Sequence, residues 1–222
     1  MALLVVCAGF FAVSFTTTSP AFEAGSLTSF ILGTLLLVSS FEQNVKLYSS
    51  AAAVEGPVRT IVALLKAEGF EGRATYVPSA TGVAVRIRGK APGTQLELPP
   101  HGDSLLRSYE SEIGSLEGKG YDFAAEWVPK AIVDALGLAE SVSMSRDGPS
   151  VRTIISKPFV RPLCVKPFFT ENVCGTIGCP LVGSLGQALA LAGGKPLAHV
   201  KCTYDPRSQT ATAVHEMEGP TH

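Results

Sequence analysis

The stretch PLVGSLGQALALAGGKPLAHVKCTYDPRSQTATAVHEM, residues 180–217, decides the fold. Leu181, Leu185, Ala188 and Leu189 recur at helical spacing, and Gly193-Gly194 end the run. Residues 199–204 and 210–217 then read as two strands flanking the turn Asp205-Pro206-Arg207-Ser208. The unit is therefore a helix followed by an antiparallel hairpin. A hairpin has one face to bury, and a helix with an apolar stripe is its natural cover.

Working outward, the same unit occurs twice more. Pro57 opens a helical run with Val58, Ile61, Val62 and Leu65 on one face, Gly69 and Gly72 close it, and strands are expected at 73–78 and 82–88. Around Pro129, Phe123, Trp127, Val128, Ala131, Ile132, Ala135 and Leu136 have helical spacing, and strands at 141–146 and 150–156 flank Asp147-Gly148. A further strand is expected at 95–98 and a helix at 103–113, capped by Asp103. The units are unevenly spaced, which argues for an α+β class of helix plus antiparallel β-hairpin units rather than a tandem repeat. Ile61, Leu65, Trp127, Ile132, Leu185 and Leu189 are the expected core.

The N-terminus is of another kind. The chain has 222 residues, 46% of them hydrophobic and 17% charged, with a net charge of −1, yet residues 1–41 hold no Lys or Arg and a single acid, Glu23. Apolar runs at 1–15 and 27–41, joined by a loop with Pro20 and Gly25, predict an N-terminal transmembrane helical hairpin over residues 1–41. A cleaved secretory signal or an apolar hairpin inside a soluble core are the alternatives. Lys46, Arg59 and Lys66 follow the second span, and the loop between the spans has no basic residue, so the positive-inside rule puts the large C-terminal part in the cytoplasm. The organisation expected is two spans (1–41), a juxtamembrane helix (42–56), a cytoplasmic α+β domain (57–217) and a tail (218–222), in a multi-pass protein of the cell membrane. The balanced charge leaves no positive field for phosphates, which argues against nucleic acid as a partner.

The most specific local feature is Val173-Cys-Gly-Thr-Ile-Gly-Cys-Pro180. Its C-x4-C spacing departs from the C-x2-C of common zinc knuckles, but its glycines would let two thiolates converge, and Cys164 and Cys202 could complete a four-cysteine metal site. A Cys174–Cys179 disulfide and plain buried thiols are the other readings. Consecutive N–H groups before a helix also attract anions, so Cys174, Gly175, Thr176, Gly178 and Cys179 are the candidate ligand-binding residues. A turn that simply needs positive backbone angles is the plainer alternative.

If the last hairpin turns at Pro206-Arg207, His199 faces His215 and Cys202 lies on the opposite face. Two such imidazoles could share a metal, or could face solvent. Lys157 to Phe169 interleaves bases, prolines and aromatics, which suits either a headgroup contact or an ordinary connection whose phenylalanines fill the core. His-Glu-x-x-His, Gly-x-Ser-x-Gly and nucleotide-binding motifs do not occur.

The apolar N-terminal hairpin, the run Gly72-Arg-x-x-Tyr-Val-Pro78 and the Cys179-Pro-Leu181 helix leading to a hairpin together resemble uncharacterised archaeal membrane-anchored proteins. Residues 160–217 are also similar to small-molecule-binding domains of the vinyl-reductase type, which end in a helix, a hairpin and cysteines. The second resemblance implies ligand binding, and the first implies no activity. The expectation is a membrane-anchored cytoplasmic domain that binds a protein partner or small ligand, with no catalytic motif and no identified cofactor. The contrasting expectation is a cysteine-based redox or metal-binding protein.

Overall fold

The computed structural model describes Glu55 and residues 58–70, 72–166 and 173–218, all within the compact unit Ala51–His222. The expected membrane spans at 1–41 and nearly all of the juxtamembrane helix lie outside the described residues.

Each helical run and hairpin expected in the described part forms, but Asp103 is the first residue of its helix and Gly102, with no side chain to bond, stands at the cap. Helix α1 covers residues 58–67 and leads into β1 (Ala74–Ser79), β2 (Gly82–Arg88) and β3 (Gln95–Leu98). Helices α2 (Asp103–Ile113) and α3 (Tyr121–Lys130) follow, then β4 (Ser141–Asp147) and β5 (Ser150–Ser156). Two short helices, α4 (Arg161–Cys164) and α5 (Cys174–Thr176), precede α6 (Pro180–Gly193), β6 (Leu197–Asp205) and β7 (Thr210–Met217). The seven strands make one sheet in the order β3-β2-β1-β6-β7-β5-β4, every neighbouring pair antiparallel. The three hairpins thus join edge to edge, β1 to β6 through Thr75 and Tyr76, and β5 to β7 along their whole length.

One face of this sheet is covered. Val83, Val85 and Ile87 of β2, Val151 and Ile155 of β5, and Ala211, Ala213 and His215 of β7 all point to the buried side, while the alternating Ile154 is exposed. An antiparallel sheet with one solvated face alternates in this way. The cover is α6, whose residues from Leu181 to Ala192 are all buried. It packs on β1, β2 and β6 on one side and on α2 and α3 on the other. A helix apolar all round needs such enclosure. Cys174–Gly193 is also the one stretch among the described residues long and apolar enough to cross a membrane, but here it is the centre of the core.

The core differs from expectation at two positions. Leu65, Ile132, Leu185 and Leu189 are buried, whereas Ile61 and Trp127 are each 39% exposed. On α1 the inward stripe is Val58, Val62 and Leu65, which turns Ile61 to the flank. On α3 and the turn that continues it the stripe is Ala124, Val128, Ala131 and Ile132, so Trp127 lies beside it, stacked on Phe123 with the Lys130 ammonium 4.1 Å above its ring. Pro129 sits inside α3, and the chain passes directly into a π turn, Ala131–Ala135, closed by Leu136 N–H to the Ala131 carbonyl at 3.0 Å. Glu218, expected in the tail, accepts from the Thr75 hydroxyl at 3.0 Å and pairs with Arg88.

The β6–β7 register carries the consequence for function. His199 faces His215, as the turn position predicts, but a bulge lies between His199 and Lys201, so that Lys201 faces Val214 and Cys202 faces Ala213. The extra residue reverses the alternation beyond it. Cys202 and Tyr204 therefore face the helix-covered side with His199, not the opposite side.

Candidate functional site

The site grows from one face of α6. Gly183, Gly186 and Gln187 are spaced to share a face, and the two glycines leave room that side chains from elsewhere occupy. A Cβ on Gly183 would overlap the His101 imidazole, and one on Gly186 would overlap the Tyr76 ring and approach His215 Nε2 to 3.0 Å. His215 lies against Tyr76 and His199, with ring centroids 5.9 and 5.3 Å away. Gln187 is wholly buried beside Gly102, the residue after His101.

The Cys174–Cys179 turn roofs this cluster. His199 Nε2 lies 2.6 Å from the Cys174 carbonyl, the Tyr76 hydroxyl donates to the Ile177 carbonyl at 3.0 Å, and the carbonyls of Cys179 and Gly178 face the His101 ring. A carbonyl can only accept, so His199 carries its proton on Nε2 and presents Nδ1 as a lone pair. Beside the cluster, Ser184 donates to the Leu181 carbonyl at 2.8 Å and accepts from the Tyr109 hydroxyl at 2.7 Å, which leaves that pair satisfied.

The imidazoles are neutral. Burial, with His199 as a neighbour, pushes His101 down to about 4 against the pull of the Cys179 and Gly178 carbonyls. Burial and then His199 push His215 down to about 3, and burial lowers His199 against the Cys174 carbonyl. Despite their enclosure these side chains leave polar atoms without a partner. Eight buried side-chain nitrogen and oxygen atoms among the described residues have no hydrogen bond, and six belong here: His101 Nε2, both Gln187 amide atoms, His199 Nδ1 and both His215 nitrogens. His101 is half-buried as a residue, and its Nε2 is enclosed.

The cysteines form a second group at the same turn. Cys164, Cys174 and Cys179 are buried and Cys202 is half-buried, and all four are unbridged. The Cys174 thiol hydrogen-bonds with Cys179, which pulls its pKa down, and with Cys202, which pushes it up; burial and the surrounding sulfurs leave it raised. The hydrogen bond from Cys174 and burial push Cys179 well up, and burial, then Cys179, raise Cys164. These three are thiols at neutral pH. Among the described residues no three His, Cys, Asp or Glu side chains are grouped to hold a metal ion.

Of the other residues expected at the site, Gly175 is exposed, Thr176 half-buried and Gly178 buried. In the Lys157–Phe169 stretch, Val160, Leu163 and Cys164 are buried and Phe159 packs on the core, while Phe168 and Phe169 lie outside the described residues. Sequence patterns alone do not single out His101 and Gln187. Their signals are slight: a histidine in Pro99-Pro100-His101-Gly102, and an amide that shares an otherwise apolar helix only with Ser184.

No family model matches the chain, and no curated protein and no solved structure is significantly similar to it.

Proposed function

We propose that this protein is a membrane-anchored binding module whose cytoplasmic α+β domain holds a small, uncharged polar ligand against His101, Gln187, His199 and His215. Residues 1–41 supply the anchor in this reading, on the strength of their nearly charge-free composition. The observation that carries the ligand is the group of six unpaired atoms. A buried polar atom left unpaired costs about 1–3 kcal/mol, while a whole domain is stable by only about 5–15 kcal/mol. A fold that gathers six such atoms behind one helix face is best supported by a guest that bonds to them. Its chemistry follows from theirs: the imidazoles are neutral, so charge is unfavourable, and donors and acceptors are mixed, so the guest needs both. His101, the one half-buried residue of the four, marks the access side in this reading.

The full chain, purified in detergent without denaturation, tests this. Denaturing it should release one small compound in stoichiometric amount, and the same preparation of Gln187→Leu should release little. Release of water alone from the folded wild type would contradict the reading and make the cluster a hydrated core.

A further inference from the structure

Cys202 reaches the covered side of the sheet only because of the bulge between His199 and Lys201. The turn bearing Cys174 is pinned against β6 by the bond from His199 Nε2 to the Cys174 carbonyl, and α5, which begins at Cys174, packs on the strand that carries Cys202. Among the four described cysteines Cys202 is the half-exposed one, while Cys174 behind it is 3% exposed. Bulges recur where a strand must re-aim a side chain.

We infer that Cys202 and Cys174 are a thiol–disulfide exchange pair, in which Cys202 reacts with a small disulfide from solvent and Cys174 resolves the product into an internal bond. In the first step the Cys202 sulfur attacks one sulfur of the disulfide RSSR. A Cys202–S–SR bond forms, the S–S bond of RSSR breaks, and RSH leaves with the proton that Cys202 gives up. In the second, the Cys174 sulfur attacks the Cys202 sulfur, Cys174–S–S–Cys202 forms, and a second RSH leaves with the Cys174 proton. The dithiol is oxidised by two electrons and RSSR is reduced to two thiols. The order follows from burial: a disulfide in solvent reaches Cys202 and not Cys174. Adjacency then makes the second step intramolecular. This reading does not depend on the ligand proposed above.

The test exposes the full chain in detergent to glutathione disulfide, blocks remaining thiols with an alkylating agent at intervals, and maps the peptides by mass spectrometry. The expected course is a transient glutathione adduct on Cys202, followed by a Cys174–Cys202 disulfide. Cys174→Ser should trap the adduct on Cys202, at about tenfold its wild-type level, and Cys202→Ser should slow loss of the Cys174 thiol about tenfold. An adduct that persists on Cys202 in the wild type, no reaction at Cys202, or equally fast loss of Cys174 in Cys202→Ser would overturn the pair. The wild-type time course alone decides if a variant fails to fold.

Discussion

His199 and His215 face each other across the β6–β7 ladder, neither ring exposed and their centroids 5.3 Å apart. Burial disfavours a charge on either ring, and two charges there would also repel each other, so both rings stay neutral at neutral pH. Neutrality turns the pair into a donor–acceptor surface, and that surface is the basis of the binding proposal.

The first consequence is sensitivity to acid. The folded-state values of His101 and His215 are held down to about 4 and about 3, below the ordinary 6.5, and His199 is lowered as well, with Arg73 contributing. Between those values and 6.5 the unfolded chain binds more protons than the folded one, so stability rises with pH across that window. The contribution is complete above about pH 6.5 and is lost as pH falls through the folded-state values. Each tenfold difference in proton affinity between the folded and unfolded chain corresponds to about 1.4 kcal/mol, so the loss is on the order of several kcal/mol. Urea midpoints from pH 7 to pH 4 should fall steadily, and His215→Phe should flatten the slope if it folds. A midpoint independent of pH would mean that the rings are hydrated and titrate normally.

A second expectation concerns the glycines of α6. Gly186→Ala would drive a methyl group into the Tyr76 ring, whereas a Cβ on Gly175 meets nothing within 4 Å. Overpacking of this sort costs about 1–3 kcal/mol, and a surface change typically stays within about 0.5 kcal/mol. Denaturation of the two variants side by side should separate them by that margin.

Legibility in the sequence followed the range of each interaction. The hairpins could be read because alternation and turns such as Asp147-Gly148 are local, and the facing of His199 and His215 followed from the position of their turn. The side chosen by Cys202 could not, because a single bulged residue reverses it and nothing in the run Val200-Lys201 announces the bulge. Trp127 lies just off the stripe of α3, and its ring stays beside Phe123 and Lys130 instead of entering the core. His101 was hidden for a third reason. It reaches the cluster from the loop before α2, and only the packing of that loop on Gly183 brings it there.

A third expectation tests Gln187 against its own environment. In protein freed of any guest, Gln187→Leu removes two unpaired buried atoms and should raise the unfolding midpoint, by about 1–3 kcal/mol of stability. In protein purified with its guest, the gain should disappear or reverse, because a ligand at about 100 times its Kd contributes about 2.7 kcal/mol that the variant forgoes. An identical shift in both preparations would argue against a ligand.

A fourth expectation is modest by design. Tyr109→Phe deletes the donor to Ser184, which keeps its own bond to the Leu181 carbonyl, so the loss should be about 1 kcal/mol and binding should be unaffected. A large loss of binding in this variant would move the site toward α2.

The central claim is that a guest binds among His101, Gln187, His199 and His215. The most direct measurement is a high-resolution density map of the full-length protein purified without denaturation, calculated with nothing placed among them. The account predicts continuous density larger than a water, within hydrogen-bond distance of the Gln187 amide and of at least one His215 nitrogen. Separate water peaks, or side chains closed upon one another with no density between them, would contradict it.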